Sequence, residues 1–175
     1  MGRQDGAEEL RNFEEFVALR SPSWMRTAFL LVGNREAAED LVQSALERTF
    51  VRWRRVRRME MPEAYVRRIV INSAHQAWRV AQRTPVVVGG IGEHADQAFA
   101  DPADGVALRA SLLCALDALP HGMRTVVVLR YWEELSVQEV AELLHCSTGN
   151  VKAQASRGLE RLRNLISVES GSNRG

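Results

Sequence analysis

The chain has 175 residues, 23 Lys and Arg against 22 Asp and Glu, a formal net charge of +1, and 46% hydrophobic residues. That length suits one ordinary domain or two small ones, no run is apolar enough to span a membrane, and the polar, acidic N-terminus lacks a signal-peptide pattern. Two cysteines, Cys114 and Cys146, are too few and too far apart for a disulfide framework, so a reduced cytoplasmic setting is expected.

The neutral average conceals a segregation of charge. From Arg48 to Arg68 there are eight arginines against Glu60 and Glu63, whereas Glu93 to Asp104 holds four acids and no Lys or Arg. Residues 1–47 are acidic on balance. A basic block inside a neutral chain points to a local phosphate footprint and a second surface for another partner.

Helical periodicity runs from Phe13 to about Arg83, with breaks expected at Ser21-Pro22-Ser23, at Gly33-Asn34 and near Met61-Pro62. A helix from Asn34 to about Arg55 turns Ala38, Leu41, Val42, Ala45, Leu46, Thr49 and Trp53 inward and Glu36, Asp40, Gln43 and Glu47 outward. An acidic face is ordinarily just solvated. Here the arginine block follows at once, which suits protein on one side and phosphate on the other. The next helix, Pro62 to about Gln82, is expected to bury Tyr65, Val66, Ile69, Val70, Ser73 and Ala77. It presents Arg67, Arg68, Ile71, His75, Trp78 and Arg79, with Asn72 on the flank. Arginines interleaved with an aromatic can follow a backbone and stack on an unpaired base. The periodicity leaves open whether Trp78 is exposed or packs, with Ile71, against the first helix.

Residues 84–105, with Pro85, Gly89, Gly90, Gly92, Pro102 and the acidic cluster, read as a flexible linker in which Val86 to Val88 is extended chain. Gly89 to Gly92 is no phosphate cradle, because no strand and helix flank it. Without a nucleophile beside a base or paired carboxylates in a pocket-forming context, no enzyme is expected. Cys114, His121, His145 and Cys146 lack a zinc spacing, so no metal or cofactor is expected either.

Helical periodicity resumes at Val106. From Leu119 to Ile166 there is a lead helix, a short helix opened by Ser136, a break at His145-Cys146 and a long helix opened by Ser147, with Glu169 to Gly175 expected to be frayed. Ser136 and Glu139 stand in capping-box spacing. Val140, Ala141 and Leu144 make one apolar face, and Val151, Ala155, Leu159, Leu162 and Ile166 make the stripe of the long helix. Ala153, Arg157 and Asn164 are left facing out, flanked by Lys152, Gln154, Ser156 and Arg161. A helix-turn-helix whose second helix offers Lys, Gln and Arg near its N-terminus has the shape that enters a major groove. The expected fold is all-α: a three- to four-helix bundle (8–83), a linker (84–105) and a C-terminal helix-turn-helix domain (106–168).

Several stretches in order carry a resemblance to a family. They are Arg26 to Gly33, Ala38 to Gln43, Pro62 to Asn72, Leu129 to Trp132, Leu135 to Ala141 and Val151 to Arg163. Over about 150 residues the chain resembles bacterial RNA polymerase sigma factors of the extracytoplasmic-function group, most of all an actinobacterial sigma-E-like subfamily. The resemblance implies a transcription initiation factor. Its first domain, region 2, would dock through Glu36, Asp40, Gln43 and Glu47 on the clamp helices of the polymerase's largest subunit. The same domain would melt the −10 element through Arg55, Arg57, Arg58, Arg67, Arg68, Asn72, His75, Trp78 and Arg79, Asn72 lying by the pocket for a flipped base. Its second domain, region 4, would read the −35 element through Arg130, Asn150, Lys152, Ala153, Gln154, Ser156 and Arg157 and meet the flap of the second subunit. An anti-sigma protein is a further partner of such proteins. Ser44, His121-Gly122-Met123, His145 and Ala153 depart from the family's commoner residues. The alternatives are a sigma-like decoy for an anti-sigma protein and a stand-alone helix-turn-helix repressor.

Overall fold

The computed structural model describes residues 2–81 and 106–172, and the expected linker, with Val86 to Val88, lies outside them. The described residues form eight α-helices and one π-helical stretch, with no strand among them. Helix α1 spans Gly2–Val32, α2 Arg35–Phe50, α3 Trp53–Val56 and α4 Pro62–Ala81. After the linker come α5 (Val106–Asp117), α6 (His121–Val127), the π-helical stretch Val128–Trp132, α7 (Val137–Leu144) and α8 (Thr148–Ser172).

Local chemistry sets most of the boundaries. Gly33 ends α1 at φ 74°, its N–H donating to the Phe29 carbonyl at 2.8 Å. That left-handed backbone suits glycine. Asn34 then caps α2, its side chain accepting from Ala37 N at 3.0 Å. In α7 the box is complete: Ser136 Oγ accepts from Glu139 N at 3.2 Å, and Ser136 N donates to Glu139 Oε2 at 2.7 Å. Ser147 Oγ caps α8 by accepting from Asn150 N at 3.1 Å.

Two boundaries differ from the sequence reading. The break at Ser21-Pro22-Ser23 is absent, and α1 runs through Pro22. Proline removes one donor, but Pro22 and Ala18, whose carbonyl loses its partner, are both exposed, so water can take its place. Phe16 and Trp24, which flank the proline, meet with ring centroids 5.3 Å apart and so bridge it. The helix expected to reach Arg55 instead stops at Phe50, and a turn closed by Arg52 N to Thr49 O (3.0 Å) leads into α3. The turn lets Trp53 swing into an aromatic cluster with Phe13 and Phe16, at centroid distances of 5.2 and 4.9 Å.

The two expected helical units are present, and they are packed together. One apolar cluster takes Phe29, Leu31, Val66, Val70 and Ile71 from the first and Leu116, Val128, Leu129, Val140 and Val151 from the second. Helix α4 lies against α7, and α1 lies against the π-helical stretch. Arg124 of α6 is buried and hooks onto the end of α1, with Nε donating to the Leu30 carbonyl at 2.6 Å and Nη2 to the Phe29 carbonyl at 3.4 Å. A cation suits the carbonyl end of a helix. Asp117, 3.1 Å from Nη1, supplies the counter-charge.

Candidate polymerase and nucleic-acid interfaces

On α2, Ala38, Val42, Ala45 and Thr49 are buried, while Glu36, Asp40, Gln43 and Glu47 are all exposed. Gln43 Nε2 donates to Glu47 Oε1 at 3.3 Å along this face. The sequence did not disclose its neighbour, an open apolar groove of about 510 Å³ between α1 and α2. Leu10, Phe13, Met25, Val42, Leu46 and Phe50 line it together with Glu39, Gln43 and Glu47. An apolar trough edged by acids fits a helix that offers hydrophobic and basic side chains.

The basic segment follows directly. Arg52, Arg54, Arg55, Arg57 and Arg58 are exposed around the buried Trp53 and Val56, and Arg54 pairs with Glu9 at 2.8 Å. On α4, Arg68, Asn72 and Arg79 are exposed. The rest of its expected outward face is covered. Ile71, expected outside, is 1% exposed, because the C-terminal half packs over it. Ala77, expected inside, is exposed. Arg67 is half-buried and paired with Glu133 at 3.0 Å. Trp78 is half-buried too, although its partner is not the first helix: its ring stacks on His121, with His75 on the same aromatic run. His75 Nδ1 is buried without a hydrogen-bond partner.

In the C-terminal half the helix-turn-helix is built as expected. His145 ends α7 in the left-handed region (φ 51°, ψ 47°), and Cys146 N donates to the Ala141 carbonyl at 3.0 Å. Val151, Ala155 and Leu162 are buried, and Leu159 and Ile166 are half-buried. Asn150, Lys152, Ser156, Arg157, Arg161 and Asn164 are exposed along the outer side of α8. Ala153 and Gln154 are half-buried rather than facing out. The Gln154 amide lies over Gly122, whose added Cβ would meet it at 3.7 Å. Arg130 is half-buried and donates to the Leu135 carbonyl, so it also braces the turn before α7.

Sequence reasoning missed Glu133. The π-helical stretch bonds Glu133 N to Val128 O at 3.1 Å, and this wider turn leaves Tyr131 and Trp132 about half exposed while Glu133 points inward. No group of three or more His, Cys, Asp or Glu able to hold a metal occurs among the described residues, and no helix among them is long and apolar enough to cross a membrane.

Comparison with known proteins agrees with this geometry. The family model for sigma-70 region 2 matches residues 17–84, and that for sigma-70 region 4 matches residues 109–162. The chain is 38% identical over 156 residues to the RNA polymerase sigma-E factor of Streptomyces coelicolor, covering 89% of this chain and 86% of that protein. It is 27% identical over 144 residues to the RNA polymerase sigma factor SigV of Bacillus subtilis, covering 82% and 84%. Among solved structures, the sigma factor RpoE of Bartonella quintana, crystallised with the anti-sigma factor NepR, superposes with a TM-score of 0.63 at 24% identity over 90% of this chain and 98% of that one. With both regions matched in order on an all-helical frame, the chain belongs to the sigma-70 family of transcription initiation factors, in its extracytoplasmic-function, sigma-E-like branch.

Proposed function

We propose that this chain binds core RNA polymerase and directs it to specific promoters, region 2 opening the −10 element and region 4 reading the −35 element. The observation that carries this reading is that both regions occur in order on one chain. Glu36, Asp40, Gln43 and Glu47, with the apolar groove beside them, dock on the clamp helices of the largest subunit. Arg55, Arg57, Arg58, Arg68 and Arg79 hold phosphate around the melted strand, with Arg67, His75 and Trp78 joining once uncovered. Asn72 meets the flipped base, whose extrusion costs a few kcal/mol that pocket contacts must offset. Lys152, Asn150 and Ser156 follow the backbone of the −35 duplex, and Arg157 reaches base edges. The half-buried Arg130, Ala153 and Gln154 support that surface from its margin, and region 4 meets the flap of the second subunit.

Neither half would bind a promoter strongly alone, and polymerase docking supplies the avidity. The chain acts in the cytoplasm and performs no catalysis of its own. An anti-sigma protein is a further partner, supported by the complex in which the Bartonella quintana sigma factor was crystallised. The deciding experiment is run-off transcription with purified core polymerase on a promoter library. New start sites that require this chain are expected, and starts unchanged by its addition would overturn the reading.

A further inference from the structure

We propose that the first turns of α1 and the arginines around α3 build a second docking compartment, continuous with the groove between α1 and α2, which takes the acidic end of an amphipathic segment of a partner protein. The proposal rests on the reading of the α2 groove as a protein-docking site. A second open cavity, of about 640 Å³, adjoins that groove, and Leu10 and Phe50 line both. These two side chains are 45% and 46% exposed and Val51 is 84% exposed, so apolar surface runs from one cavity into the next. The buried Trp53 adds to the wall of the second cavity, fixed by ring contacts to Phe13 and Phe16. The family model for region 2 begins at residue 17, so Gly6, Glu9 and Leu10 belong to a stretch of α1 outside that match.

The two cavities carry opposite charge. Glu14, Glu39 and Glu47 line the first, with no cation among its lining residues. Arg52, Arg54 and Arg55 line the second against one acid, Glu9. Both carboxylate oxygens of Glu9 accept from Arg54 Nε, at 2.8 and 2.9 Å, which ties the start of α1 to α3 and leaves positive charge in excess there. An occupant that fits both cavities offers apolar side chains throughout, bases over the first and acids over the second. Nucleic acid suits the arginines alone, because a strand continued across Leu10 and Phe50 would bring phosphate to three carboxylates. A peptide segment can change sign along its length. Apolar burial then supplies most of the affinity, and the order of charges fixes which way the segment lies.

The test uses the full chain and fluorescence anisotropy with three labelled peptides of about 18 residues, ~27 Å long as helices. They share one apolar stripe and differ in their charged ends: Lys at one and Glu at the other, Lys at both, or Glu at both. The mixed peptide should bind about three- to tenfold more tightly than the Lys-only peptide, and added salt should shrink that margin. Val51→Asp with Arg52→Glu changes two exposed residues that line the second cavity and not the first. This double variant should remove the margin and leave Lys-only binding within about twofold, with circular dichroism still helical. If its helical signal is lost, Arg52→Gln alone must still narrow the margin, and its failure to do so overturns the proposal. A mixed peptide no tighter than the Lys-only one, a margin that survives the double variant, or a Glu-only peptide tighter than both would each overturn it. A −10 single strand that loses affinity in the double variant while the peptides do not would give the compartment to nucleic acid and overturn it as well. Failure of every peptide to bind would sink the α2 reading together with the compartment, whereas Lys-only binding without a margin sinks the compartment alone.

Discussion

The rings of Trp78 and His121 lie 4.3 Å apart with their planes 10° from parallel, a stacked pair that joins α4 to α6 across the two halves of the chain. His121 Nε2 also lies 3.0 Å from the Thr125 hydroxyl. Burial, then the charges of Arg124 and His75, push the His121 pKa down to about 4 from an ordinary 6.5. Burial, then Arg79 and His145, push His75 the same way.

The sign of the pH effect follows. A folded-state pKa below the unfolded value means that the unfolded chain binds a proton the folded chain refuses. Stability should be level above pH 6.5, fall as pH drops from there to about 4, and level off below as far as His121 is concerned. Discounted for the partial exposure of the ring, the loss should be about 1–2 kcal/mol. Urea unfolding at several pH values measures it. His121→Phe keeps a flat ring against Trp78 and should flatten the acid slope, and a slope unchanged in that variant would clear His121 of the role.

A second expectation concerns the crossing of α6 and α8. Gly158 is buried there, and an added Cβ would come within 2.7 Å of Val127 Cγ2 and 3.5 Å of Met123 Cβ. Alanine gains about 1 kcal/mol of helix propensity over glycine. Forcing a methyl into a packed crossing costs ~1–3 kcal/mol. Gly158→Ala should therefore lower stability by about 1 kcal/mol, read as a fall in Tm, and a rise in Tm would mean that Val127 moves aside freely.

Features specified by neighbouring residues were legible in the sequence. The break at Gly33-Asn34, the Ser136–Glu139 box and the alternation of Val42 and Ala45 with Gln43 and Glu47 all depend on residues within a turn or two of each other. What the sequence hid depends on partners far along the chain. Ile71 looks like an outward residue on α4 until α7 covers it, and nothing near Arg67 announces Glu133. Pro22 misled because Phe16 and Trp24, on either side of it within α1, meet ring to ring, and Phe16 also packs on Trp53 beyond α2. The candidate site was legible wherever it is a solvated helix face, as on α2 and α8. It was obscure on α4, where the C-terminal half of the chain covers part of the surface.

Under the proposed function, a substitution at Asn72 should separate docking from melting. The residue is exposed on α4, so Asn72→Ala should leave folding within about 0.5 kcal/mol of wild type. Polymerase affinity should be unchanged while permanganate reactivity of the −10 element disappears. Equal loss of both would count against its place by the flipped base.

The docking face makes the opposite prediction. Asp40→Lys with Gln43→Lys replaces two exposed residues beside the apolar groove with cations. Affinity for core polymerase should fall at least tenfold, about 1.4 kcal/mol, while strand binding by the free chain is retained. Undiminished affinity would move the docking site elsewhere.

On α8 two exposed cations are expected to have separable roles under the proposed function. Lys152 as a phosphate contact predicts that Lys152→Ala weakens binding equally across −35 sequences and lowers the salt slope by about 1. Arg157 as a base contact predicts that Arg157→Glu removes −35 protection from the footprint and costs about 1–3 kcal/mol on the preferred sequence, more than on a scrambled one. The discriminating measurement is affinity of the polymerase complex for matched and scrambled −35 elements over a salt series. Equal losses on both sequences would reduce Arg157 to another backbone contact, and an intact footprint would mean that α8 does not enter the groove by this face.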